Sequence, residues 1–238
     1  MTGARLFLAV AAAAMGVLLG ACTTPRRAAA PPPPPQNFFS PATEGAPMRR
    51  VALLPLWNEK LPGEYLRDVD AAFAAELTKK ALFEVVPVSR AQMETIFGER
   101  QLSSVDALPA EALARLRTTY GVEGVLFTDL TSFSPYRPLS MGVRAKLLDV
   151  TTGKIHWAFD YVYDTGNASV ATAAKTYQRK YSNEHQPLTS DGGSILLSPS
   201  RFAKYVACET YASLRAQSEN GMFSAKAFAN PSDNLSKR

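Results

Sequence analysis

Residues 141–150 and 155–163 are two β-rich runs on either side of Thr151-Thr152-Gly153-Lys154, and they restrict the fold more than any other part of the chain. β-branched and aromatic residues favour strands, and a short polar turn with glycine between two such runs marks an antiparallel hairpin. In the second run Trp157, Phe159, Tyr161 and Tyr163 alternate with His156, Ala158, Asp160 and Val162. Successive strand side chains point to opposite faces, so this alternation predicts a strand buried on one side. His156 is expected at the surface or satisfied within the hairpin. The apolar face of the hairpin needs a core to cover it, and the rest of the chain must supply one.

The elements before the hairpin alternate between strand and helix. Residues 51–56 (VALLPL) are continuously apolar, as a strand buried on both faces should be. Leu66, Val69, Phe73 and Leu77 recur at spacings of three and four, which predicts an amphipathic helix over 64–82. Residues 83–88 (FEVVPV) form a second strand. Ser89 and Gln92 have capping-box spacing and open a helix to about residue 99 that turns Met93, Ile96 and Phe97 inward. Pro109 suits the first turn of a third helix, which stops at Gly121. Residues 122–133 contain the next strand.

After the hairpin, 168–181 are weakly helical and 182–197 form a loop that includes Ser190-Asp191-Gly192-Gly193-Ser194. Ser198-Pro199 begins a last helix to about residue 216, with Phe202, Tyr205, Val206 and Ala212 on one side. The expected fold class is α/β (α+β). Residues 49–217 make a single domain with a mixed sheet of four to five strands packed by helices, and the antiparallel hairpin is followed by a terminal helix.

The N-terminal region does not belong to that core. Arg5 precedes a run of about 14 apolar residues, too short for a permanent membrane helix of about 20. The run leads to Leu19-Gly20-Ala21-Cys22, which resembles the bacterial lipobox. Residues 1–21 are therefore expected to be cleaved as a signal peptide, and Cys22 to carry diacylglyceryl and N-acyl chains. Several chains on one residue anchor stably where one does not. Thr23, and no Asp, follows the cysteine, which under the usual sorting rule favours the outer membrane with the domain in the periplasm.

Residues 22–48 hold Pro31 to Pro35 and further prolines, a composition that forms a polyproline II spacer and no core. Fully extended at about 3.1 Å per residue, such a tether reaches roughly 80 Å. Residues 218–238 are expected to be a polar, flexible tail.

A formal net charge of +5 and a pI of 9.2 invite a nucleic-acid reading, which the distribution of charge removes. Arg5 leaves with the signal, and residues 23–50 carry Arg26, Arg27, Arg49 and Arg50 against Glu44. The folded body keeps a net charge near +1, whereas nucleic-acid binders concentrate positive charge on the domain. With Cys22 committed to lipid, Cys208 stands alone, so no intramolecular disulfide forms, and it reads as a small buried residue on a helix.

Neither His156 nor His185 has metal-ligand spacing, and no nucleophile elbow, phosphate loop or Cys-x-x-Cys occurs. The expectation is a non-enzymatic protein with no metal and no cofactor beyond the covalent lipid. Interfaces favour aromatics and arginine. Trp57, Tyr136 and Arg137 form one candidate contact surface, although Trp57 fits equally the role of closing one end of the core. Tyr177 and Tyr181, with Arg179 and Lys180, form a second.

The runs VALLPLWNE, LFEVVPVSRAQMETIFGERQL, YGVEGVLFTDLTSF and VRAKLLDVTTGKIHWAF together resemble the family of the curli-secretion lipoprotein CsgG. That family shares its core with LpoB, an activator of penicillin-binding proteins. The resemblance spans residues 51–163 and implies a non-enzymatic envelope domain with a mixed sheet. Pro135 and Pro138 in the short 134–140 link leave no room for the membrane-spanning hairpins of a CsgG pore, and the 199–216 helix extends past an LpoB-like domain.

The expectation is an adaptor that binds another envelope protein such as a cell-wall synthase or secretion component. The alternative is a homo-oligomeric ring, an assembly or transport component without its own barrel.

Overall fold

The computed structural model describes residues 38–39, 48–61, 63–108, 111–182 and 194–214, all within one compact unit spanning 32–238. The leader, Cys22, Pro109, the 183–193 stretch and the polar tail lie outside the described residues.

The strands are β1 (Phe38–Phe39), β2 (Arg50–Leu53), β3 (Glu84–Pro87), β4 (Gly124–Ser134), β5 (Ser140–Asp149) and β6 (Ile155–Asp164). The helices are α1 (Arg67–Lys79), α2 (Arg90–Phe97), α3 (Ala112–Tyr120), α4 (Ala168–Ser182) and α5 (Pro199–Thr210). The sheet order is β1–β6–β5–β4–β2–β3; β2 runs parallel to both β3 and β4, and the remaining pairs are antiparallel. The mixed sheet, the hairpin and the terminal helix are as the sequence implies.

Two apolar layers cover the sheet. On the first face Val51, Leu53, Leu126, Val143, Leu147, Trp157 and Phe159 pack with α1, α4 and α5. On the second face Ala52, Leu54, Val125 and Phe127 meet Met93 of α2 and Leu116 of α3. Central β2 is thus buried from both sides, which is why its sequence is continuously apolar. On α1 the buried residues Val69, Ala72, Phe73, Glu76 and Leu77 follow the helical repeat. The α2 capping box forms as its spacing predicts: Gln92 N donates to Ser89 Oγ at 3.2 Å, and Ser89 N donates to Gln92 Oε1 at 2.7 Å. Gly98 and Gly121 end α2 and α3 in the left-handed conformation that glycine adopts without a Cβ penalty.

Several expectations need correction. The sheet has a sixth strand, and its two residues fall inside the stretch assigned to the tether. Phe38 and Phe39 pair with Phe159 and Ala158, adding backbone hydrogen bonds at an edge that would otherwise stay open. Met48, also assigned to the tether, is buried in the core. His156 is buried and not at the surface. On the last helix Phe202, Tyr205 and Val206 face inward as expected, but Ala212 is exposed, and Tyr211 and Leu214 are the buried residues of that turn. No helix among the described residues is long and apolar enough to cross a membrane.

Candidate functional site

Past Leu53 the chain kinks through Pro55 and returns to β4. Trp57 pairs there with Asp129 as an isolated parallel bridge. Its N–H donates to Thr128 O at 3.0 Å, and its carbonyl accepts from Leu130 N at 2.8 Å. Asn58 fixes the next turn, donating from Nδ2 to Leu130 O at 2.6 Å and accepting at Oδ1 from Lys60 N and Leu61 N. The side chain of Trp57, held on this backbone, is half-buried.

Tyr136 and Arg137 occupy the link between β4 and β5. Ser134 pairs with Ser140, so the link closes directly on the ladder, and Tyr136 is 81% exposed. Trp57 lies past the carboxyl end of β2 but opposite Asp129, midway along β4, whereas Tyr136 and Arg137 lie beyond the carboxyl end of β4.

Tyr177 and Tyr181 belong elsewhere. Helix α1 returns from the carboxyl end of β2 to the amino end of β3, which carries Glu76 to the opposite end of the sheet. Glu76 is 3% exposed and accepts from Tyr177 Oη at 3.0 Å and Lys79 Nζ at 2.7 Å. The Tyr177 ring lies 5.9 Å from Tyr205 and 4.7 Å from Tyr181. Burial pushes the Tyr177 hydroxyl far above its ordinary pKa, and the Glu76 carboxylate adds to the effect.

Beside this network Lys80 Nζ donates to Cys208 O at 3.0 Å, with Sγ at 3.7 Å. Cys208 is half-buried, and burial pushes its thiol up against the opposing charge of Lys80. Tyr177 is thus engaged internally. Tyr181 is the open member of its pair, 39% exposed with Lys180 Nζ 5.3 Å from its ring centre, while Arg179 is turned onto Thr176 Oγ1.

Neither Asp129 nor its role stands out in the sequence. Asp129, fully buried, accepts from Ser103 Oγ at 2.9 Å, Ser104 N at 2.8 Å and Ser104 Oγ at 2.7 Å. Lys146 Nζ donates to Ser104 O at 2.7 Å. Together they fasten the connection after α2 across the second face. The one available signal was a lone charge inside the apolar run GVLFTDL.

His156, expected at the surface or satisfied within the hairpin, is buried where the β5–β6 register shifts between Leu147 and Leu148. Its Nε2 stands 3.9 Å from Asp149 Oδ2, and Nδ1 meets no partner among the described residues. Burial pushes its pKa down; Asp149 opposes this and Lys154 adds to it. Among the described residues no group of three or more His, Cys, Asp or Glu is placed to hold a metal.

No family model and no curated protein matches the chain. Several solved structures are similar to it. The PelC dodecamer from Paraburkholderia phytofirmans is 16% identical with a TM-score of 0.44, over 75% of this chain and 94% of that one. Lipoprotein GNA1162 from Neisseria meningitidis is 19% identical with a TM-score of 0.39, over 58% and 99%. The LpoB C-terminal domain from Escherichia coli is 19% identical with a TM-score of 0.30, over 50% and 86%. The likeness to CsgG rests on the sequence pattern alone.

Proposed function

We propose that this chain is a non-enzymatic adaptor of the bacterial envelope, anchored by lipid on Cys22 to the outer membrane with its domain in the periplasm. It binds another envelope protein, and the sequence pattern it shares with LpoB makes a cell-wall synthase the first partner to test. The observation that carries the reading is the placement of Tyr136. Its side chain stands almost wholly in water at the end of the β4–β5 ladder, next to Arg137. A large exposed aromatic beside an arginine, held on a fixed strand end, has the composition of an interface anchor.

The test is a photo-crosslinking residue at position 136 of the full acylated chain in growing cells, compared with the same residue at exposed Thr118 on α3. A discrete adduct with one envelope protein at 136 and none at 118 supports the adaptor. An adduct at twice the chain's own mass replaces it with the ring reading. No adduct at 136 removes this surface from the proposal.

A further inference from the structure

The strongest unassigned feature is a cavity at the carboxyl ends of β2 and β3. Val88 N donates to Leu53 O at 2.9 Å, the last rung between these strands. Beyond it the chains part: β2's continuation follows β4 through Trp57, while β3 turns into α2 at Ser89. The connection leaving β2 passes to the first face as α1, and the one leaving β3 passes to the second face as α2. In open α/β sheets, neighbouring parallel strands whose connections leave by opposite faces open a crevice at their carboxyl ends, and ligands bind there.

Here the crevice is a cavity of about 440 Å³, walled by Leu54, Pro55, Phe73, Ala74 and Val88. That volume lies within the range of small-molecule pockets.

The charge around it is asymmetric. Arg90 is fully engaged, donating to Asp70 Oδ2 at 2.6 Å, twice to Leu56 O at 3.2 Å, and to Gly63 O at 3.3 Å. Asp70 also accepts from Leu56 N at 2.8 Å. This clasp is neutral overall and holds the parted chains in position. Arg67 and Arg100 also line the cavity. Arg67 forms no ion pair among the described residues, and Arg100 meets only Glu94, at 3.8 Å between two side chains each more than 60% exposed. An apolar cavity whose lining charges outside the Arg90–Asp70 clasp are two arginines, one of them held only by a long, exposed pair, matches a ligand with an apolar body and one anionic end.

We infer that this cavity is a binding site for a small amphipathic carboxylate, with the alkyl body against Phe73, Ala74 and Val88 and the carboxylate at Arg67 and Arg100. The site is separate from the Tyr136 surface and does not depend on the adaptor reading.

Isothermal titration of the full mature chain bearing Cys22→Ser, which takes no lipid, tests it with decanoate and its neutral analogue decanamide. The expected result is saturable one-to-one binding of decanoate. The pair Arg67→Gln and Arg100→Gln, both at exposed positions, should weaken decanoate about tenfold, roughly 1.4 kcal/mol, and leave decanamide unchanged. Ala74→Trp, which fills the cavity, should abolish both while the melting transition persists. Absence of saturable decanoate binding overturns the site. Equal binding of the acid and the amide, or decanoate binding indifferent to the arginine substitutions, overturns the anion assignment.

Discussion

Tyr177 Oη and Glu76 Oε1, separated by 101 residues of sequence, meet at 3.0 Å and tie α4 to α1. Glu76 is a buried carboxylate, and one of its two hydrogen-bond donors is lost if this contact is cut. Hydrogen bonds to charged groups contribute about 1.5–3 kcal/mol, so Tyr177→Phe should destabilise the domain by that order. Urea unfolding followed by circular dichroism measures it. A change within about 0.5 kcal/mol, the range of ordinary surface substitutions, would make the contact incidental.

Asp129→Ala removes the acceptor shared by Ser103 and Ser104. Leaving buried donors unpaired costs about 1–3 kcal/mol. The more specific expectation is local: the Ser104 amide, which donates to Asp129 Oδ1 at 2.8 Å, should lose hydrogen-exchange protection while β5 amides keep theirs. Uniform loss across the sheet would instead indicate global destabilisation.

His156 gives the domain a pH dependence of definite sign. Its folded pKa lies below the ordinary 6.5 because burial disfavours the imidazolium. As pH falls past 6.5 the unfolded chain takes up the proton first, so the stability that neutral His156 contributes is complete above 6.5 and is lost as pH falls toward the folded pKa. His156→Gln should flatten the melting temperature between pH 7 and 5. An unchanged slope would place that acid sensitivity elsewhere.

Ala81 follows α1 with φ of +51°, a conformation that disfavours any residue with a Cβ. It is exposed and its side chain is not part of the core. Ala81→Gly should therefore stabilise the domain by up to about 1 kcal/mol, read as a raised urea midpoint with unchanged slope. Destabilisation would mean that the unfolded-state entropy of glycine outweighs the relieved strain.

Most of the sheet was legible because local rules governed it. Ser89 and Gln92 are three apart, Gly121 follows a helical run, and the Thr151–Lys154 turn contains a glycine that adopts φ of +69°. The Asp149 carboxylate completes that turn by accepting from Thr151 N and Thr152 N, both at 2.7 Å. What stayed hidden depends on pairs distant in sequence. Arg90 and Asp70 lie 20 residues apart on different helices, and nothing in either helix's periodicity announces their 2.6 Å contact. Phe38–Phe39 escaped for another reason: a two-residue strand has no period, and its prolyl surroundings gave the composition of a spacer. Of the candidate surface residues, exposure at Tyr136 was readable from its proline-flanked link, whereas the inward turn of Tyr177 was fixed by Glu76.

The pairing of Phe38 and Phe39 with β6 also resets the geometry of attachment. Were Cys22 to carry lipid, sixteen positions would separate it from the first residue paired to the sheet, and at about 3.1 Å each they could reach roughly 50 Å at most, against roughly 80 Å to residue 48. Because accessible volume scales with the cube of reach, a domain held that way would be confined to about a quarter of the space, and its local concentration for a target within range would be about fourfold higher. A two-residue ladder would then act as a stop that trades range for encounter rate.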